Sequence, residues 1–154
     1  MPHLTHHCSV NADLQTIWTV LLDRIEHPER YQTGVESVKF PESTEEYALR
    51  ELIVEGVPLR ERITIDEPQG EIHYTLVDDP LFVGGFCTAL IPPAPDDPRA
   101  TPVVQFRMNW TPLNDAAVMV EQEALPMLEE SIKKSVSHVK DMAEKMMAAQ
   151  LSAP

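Results

Sequence analysis

The residue of this chain best placed to do chemistry is a glutamate in the middle of an apolar strand face. In "PLRERITID" (residues 58 to 66) strand alternation groups Leu59, Glu61, Ile63 and Ile65 on one side and Arg60, Arg62, Thr64 and Asp66 on the other. A carboxylate among hydrocarbon side chains pays a heavy desolvation penalty or takes up a proton, so Glu61 needs a partner or a purpose. The preceding run, "YALRELIVE", offers Arg50, and the following one, "EIHYTLV", offers Tyr74. A "VEGVPL" turn closed at Gly56 and Val57, or across residues 55 to 58, sets Leu52 opposite Glu61, Arg50 opposite Ile63 and diagonal to Glu61, and Glu51 opposite Arg62 on the reverse face. The "DEPQGE" turn pairs Ile65 with Ile72, Ile63 with Tyr74 and Glu61 with Leu76, which brings Tyr74 diagonal to Glu61. Three roles fit such a group: a structural ion pair that fixes register, recognition of the polar end of an otherwise apolar ligand, or proton transfer as acid or base.

The remaining reactive residues form weaker patterns. His3, His6 and His7 cluster at the N-terminus, but on a strand His6 and His7 face opposite ways, so no metal site is expected. His6 shares a face with Leu4, Cys8 and Val10 and is read as a neutral polar group at a pocket wall. Asp78 and Asp79 precede Pro80 and read as a solvated turn, while His73 and His138 read as outward-facing. Two cysteines, Cys8 and Cys87, suggest buried free thiols rather than a disulfide framework. Phosphate-loop, dinucleotide and nucleophile-elbow motifs are absent, and no cofactor is expected.

The elements that must position these groups follow from periodicity. "NADLQTIWTVLLDRI" places Leu14, Ile17, Trp18, Leu21, Leu22 and Ile25 at helical spacing, with Asn11 or Asp13 as cap and Pro28 as stop. Strand-like runs follow: "VESVKF", "YALRELIVE", "PLRERITID", "EIHYTLV", "FVGGFCTALI" and "VVQFRMNW", with "HLTHHCSV" as one more at the N-terminus. In "VVQFRMNW" Phe106, Met108 and Trp110 alternate inward. "PPAPDDPRATP" (residues 92 to 102) reads as an exposed loop between strands. From about Asp115 to Gln150 helical spacing returns in Leu125, Leu128, Ile132, Val136, Val139 and Met146, with Pro126 either kinking the helix or marking where its strongest part begins. The order is α+β: an antiparallel sheet with one face free to wrap around the last helix.

Composition limits the function. The 154 residues suit one domain spanning the chain, and 25 Asp and Glu against 12 Lys and Arg give a net charge of -13, which disfavours nucleic acid and anionic lipid surfaces. No apolar run approaches the roughly 18 residues of a membrane span, and the first ten residues lack a secretion signal, so a cytoplasmic protein is expected. The oligomeric state is open.

The frame "SVNADLQTIWTVLLDRIEHPERY", "GVESVKF", "RELIVEGVPLRERITID" and "IHYTLVD" is similar to small bacterial and fungal proteins of the START-like, polyketide-cyclase-related (SRPBCC, Bet v 1-like) superfamily, and within it resembles the AtaL-like subgroup, with Arg50 and Glu61 on the subgroup's pattern. The loop of residues 92 to 102 and Pro126 are atypical of that subgroup. The resemblance implies a helix-grip fold: a curved, seven-stranded antiparallel sheet around a long C-terminal helix, with two short helices closing one end. It also implies an apolar cavity that takes a lipid, a polyketide or a similar molecule, and in some members cyclisation or dehydration. The expected site is therefore Arg50, Leu52, Glu61, Ile63, Tyr74, Phe106, Met108, Trp110 and His6, with Val54 and the last helix completing the wall. A binder of an apolar small molecule, a cyclase or dehydratase using Glu61, Tyr74 or His6, and an interaction module with a filled core all remain open.

Overall fold

Asp13 opens the first helix. In the computed structural model, which describes residues 3–97 and 99–152, its carboxylate accepts from Thr16 N at 2.7 Å. Strand β1 (His3–Ser9) precedes this helix, α1 (Leu14–Glu26), and a single 3-10 turn (Pro28–Arg30) ends it. The buried face comprises Thr16, Ile17, Trp18, Val20, Leu21, Arg24 and Ile25. That face is shifted toward Thr16, Val20 and Arg24 relative to the expected stripe, and Leu14, though in line with Leu21 and Ile25, is exposed because it is the first residue of the helix.

Six further strands complete a seven-stranded antiparallel sheet: β2 (Val35–Ser43), β3 (Ala48–Val54), β4 (Val57–Asp66), β5 (Glu71–Leu76), β7 (Gly85–Ile91) and β8 (Val103–Asn109). The spatial order is β1-β8-β7-β5-β4-β3-β2. The expected strand at residues 82–91 is split, because Gly84 adopts φ +115 and a Cβ there would lie 2.2 Å from Asn109 O. Its first two residues form β6 (Phe82–Val83), which pairs with β9 (Thr111–Pro112) in a separate two-stranded sheet. The helix α2 (Asp115–Ser152) then runs for 38 residues, about 57 Å at 1.5 Å per residue. Asn114 caps it by accepting from Ala117 N at 2.8 Å, and Pro126 lies within it. The proline divides a lightly buried first part from a packed second part carrying Ile132, Ser135, Val136, Val139 and Ala143. This is the helix-grip arrangement, and no helix is long and apolar enough to cross a membrane among the described residues.

The β4–β5 register matches expectation, with Ile65 opposite Ile72, Ile63 opposite Tyr74 and Glu61 opposite Leu76. The β3–β4 register differs by two residues. Glu55 (φ +50) and Gly56 (φ +80) are both left-handed, so the turn is the two-residue form favoured by strand twist and is centred one residue earlier than expected. Val54 therefore pairs with Val57, Leu52 with Leu59 and Arg50 directly with Glu61. On the reverse face Glu51 meets Arg60 rather than Arg62. Because the slip is two residues and not one, no side chain changes face.

Candidate ligand site

The helical face of α1 docks on the concave side of the sheet, and its last turn decides what the site looks like. Arg50, 4% exposed, donates from Nη2 to Glu61 Oε1 at 2.9 Å. Its Nη1 donates to Ile25 O at 2.9 Å and to Arg24 O at 3.4 Å, two carbonyls that the helix end leaves without intrahelical donors. The Arg50 guanidinium also lies over the Tyr74 ring, 5.1 Å from its centroid. The pair thus fastens the C-terminus of α1 to β3 and β4. A second fastening lies outside it, where Arg30 Nη1 donates to both oxygens of Asp23 at 3.0 and 3.1 Å and Tyr31 OH donates to Asp23 Oδ2 at 2.8 Å. Burial, with the adjacent Asp23 carboxylate, pushes the Tyr31 phenol well above its ordinary value, so it remains a donor.

Arg24, from the same turn, enters the interior. It is 8% exposed and sits over the rings of Phe106, Phe86 and Tyr74 at 4.8, 5.3 and 5.6 Å from their centroids. Its Nη1 donates to Tyr74 OH and its Nε to Ser135 Oγ on α2, each at 3.4 Å. No carboxylate lies within ion-pair distance of it among the described residues. Nearby on the concave face, Thr88 Oγ1 and Arg50 Nε are buried without a hydrogen-bond partner among the described residues.

Beside this cluster a groove of about 540 Å³ opens between the end of α1 and the β2–β3–β4 edge of the sheet. Leu22, Ile25, Phe40, Ala48, Ile63 and Ile65 supply apolar lining, and Glu26, His27, Thr44, Glu45, Glu46 and Tyr47 supply polar lining. Ile25 and Ile63 belong to both the groove and the core, so the Arg24 cluster lies directly behind them.

Of the nine residues expected at the site, Arg50, Glu61, Ile63, Tyr74 and Phe106 gather around the end of α1, with Leu52 buried one inward position beyond Arg50. Ile63 alone of the nine lines the groove. Met108 is buried nearer β1, and Trp110 packs against Phe82 with the rings tilted and their centroids 5.4 Å apart, at the far end of the sheet. His6 faces α2, 3.9 Å from Glu129. Arg24 and its aromatic partners occupy the space between Tyr74, Phe86 and Phe106 on the sheet and Ser135 on α2, where the expected wall of all nine residues with Val54 and α2 would have enclosed a ligand. Cys87 is buried and Cys8 only half-buried; burial pushes both thiols above their ordinary value. Sequence reasoning missed Arg24, Phe86, Thr88 and Ser135. Arg24 follows Ile17 by seven residues and Leu21 by three, spacing that placed it on the buried face.

Neither a family model nor a curated protein matches the sequence. Solved structures do match its fold. The Zhui aromatase/cyclase from a Streptomyces species is 19% identical with a TM-score of 0.67, over 99% of this chain and 96% of that one. XoxI from Bacillus cereus is 13% identical with a TM-score of 0.69, over 99% and 100%. The di-domain aromatase/cyclase StfQ of the steffimycin biosynthetic pathway is 15% identical with a TM-score of 0.74, over 95% of this chain but only 51% of its own length.

Proposed function

We propose that this protein is a single-domain carrier of an apolar or amphipathic small molecule of the lipid or polyketide kind, and that the groove beside α1 is where the molecule binds. The observation that carries this reading is the groove itself: its volume falls within the roughly 300–1,000 Å³ of small-molecule sites, and its apolar floor is continuous with the core. Three carboxylates at its margin, Glu26, Glu45 and Glu46, favour an occupant whose polar end is neutral or cationic. Ile63 contacts the ligand, Arg50 and Glu61 hold the wall in place, and Tyr74 and Phe106 stand behind it with Arg24. The arginine–glutamate hairpin is also what supports assigning the chain to the START-like superfamily and its AtaL-like subgroup.

Cyclase or dehydratase chemistry is the second reading, favoured by the aromatase/cyclases among the structural neighbours and by the phenol and guanidinium brought together at Tyr74 and Arg24. Glu61 fits it poorly as acid or base, since Arg50 engages its carboxylate away from the groove.

Native mass spectrometry of the purified protein, followed by fluorescence titration with a panel of aromatic polyketides and fatty acids, tests the carrier reading. Ala48 lines the groove opposite Ile63, so Ala48→Phe should fill it and weaken binding at least about tenfold. Binding that is absent across the panel, or indifferent to Ala48→Phe, overturns the assignment; turnover of a bound polyketide moves the protein to the second reading.

A further inference from the structure

On the convex face, away from the groove, three neighbouring strands bring together donors that are scattered in the sequence. His73 on β5 stands directly opposite Cys87 on β7, and Glu71 precedes His73 by two residues on the same face. One ligand atom from each of Glu71, His73 and Cys87 lies within 4.8 Å of the others, and His73 Nε2 is 3.2 Å from Glu71 Oε1. Arg107, opposite Cys87 on β8, places Nη2 3.2 Å from Cys87 Sγ and 3.2 Å from Glu71 Oε2. A cation already stands between the sulfur and the carboxylate, supplied by a side chain that is 46% exposed.

We propose that Glu71, His73 and Cys87 form a binding site for a zinc-class divalent metal ion. The donor set selects the metal: thiolate and imidazole suit zinc and its neighbours, whereas calcium and magnesium take oxygen ligands. Tetrahedral zinc with bonds of about 2.0–2.3 Å sets its ligand atoms about 3.3–3.8 Å apart, so side-chain rotation of about 1 Å closes the cluster without moving the strands. Three protein ligands leave a fourth position open. Beside the cluster lies a second hollow of about 550 Å³, where Gly85 stands two residues before Cys87 and presents no side chain, so water or an external ligand can reach that position. Metal and Arg107 compete for one place, and the guanidinium sets how weakly the site loads.

Cobalt(II) is the probe, added to the full chain under reducing conditions. One equivalent should produce a thiolate-to-cobalt charge-transfer band in the near ultraviolet with visible d–d bands, and zinc should displace it. Cys87→Ser should abolish the charge-transfer band, and His73→Gln should weaken binding at least about tenfold. Arg107→Gln should tighten it about tenfold or more, because a positive charge leaves the site. Cys8→Ser should change nothing. Circular dichroism on each variant separates loss of the site from loss of the fold, and the half-exposed His73 and Arg107 are the substitutions the fold tolerates best. The absence of a charge-transfer band at millimolar cobalt overturns the proposal. So does a band that survives Cys87→Ser and disappears with Cys8→Ser, which would place the metal at the N-terminal histidines.

Discussion

The β3–β4 hairpin carries an arginine–glutamate pair on each of its faces, in adjacent registers, and the two do different work. Inside, Arg50 and Glu61 meet at 2.9 Å with side chains 5% and 11% exposed; outside, Arg60 and Glu51 meet at 3.5 Å with side chains 44% and 45% exposed. The inner guanidinium also satisfies two carbonyls of α1 and covers the Tyr74 ring, while the outer one stands 4.0 Å from Asp78 in solvent. Residue type and cross-strand geometry are shared, so the difference comes from solvent and from what else the arginine holds. The inner pair is not self-evidently stabilising as a pair, because desolvation offsets much of its attraction. Its importance is that neither member can be removed alone.

That asymmetry gives the largest expected effect. Arg50→Met strands the Glu61 carboxylate in the core and releases the end of α1, so unfolding in denaturant should show a loss of about 3 kcal/mol or more. Adding Glu61→Leu should recover part of the loss, since no buried charge is then left alone. A cost for Arg50→Met below about 1 kcal/mol would mean that Glu61 reaches water and that the inner pair behaves as the outer one does.

Arg24 extends the comparison to a buried guanidinium with no carboxylate beside it. Truncating it leaves no charge behind, only Tyr74 OH and Ser135 Oγ short of a donor at 3.4 Å each. Arg24→Met keeps the length of the side chain against Phe86 and Phe106 and should cost less than about 1 kcal/mol, well below Arg50→Met in the same denaturant series. An equal or larger loss would show that the three ring contacts carry the stability assigned here to Glu61.

The sequence made faces legible and partners much less so. Alternation alone put Glu61, Ile63 and Tyr74 on the concave side, and the register of β4 against β5 followed from a turn whose residues behave as expected. The β3–β4 register slipped because Glu55, not only Gly56, takes a left-handed conformation, which its residue type does not advertise. Arg24 was hidden by the habit of assigning charged residues on an amphipathic helix to its wet face, although its spacing from Ile17 and Leu21 said otherwise. The groove and the Glu71–His73–Cys87 cluster were out of reach for a different reason. The first is assembled from segments far apart in the chain, by α1 meeting the β2–β3 hairpin, and the second needs β5 to pair with β7 past the short β6 that splits the expected strand. Turn chemistry fixes neighbours in sequence, while these contacts depend on where whole elements dock.

The smallest effect belongs to the outer pair and tests whether solvent is the right variable. Glu51→Ala removes one member of an exposed ion pair but leaves Arg60 fully hydrated and near Asp78, so nothing is stranded. Its cost in denaturant unfolding should stay below about 1 kcal/mol. It should also fade as sodium chloride is raised to about 1 M, where the screening length falls to about 3 Å. The cost of Arg50→Met should persist under the same salt, because mobile ions do not reach the space between Glu61 and α1. If both substitutions lose their effect together, the inner pair is screened as the outer one is, and burial is not what separates them.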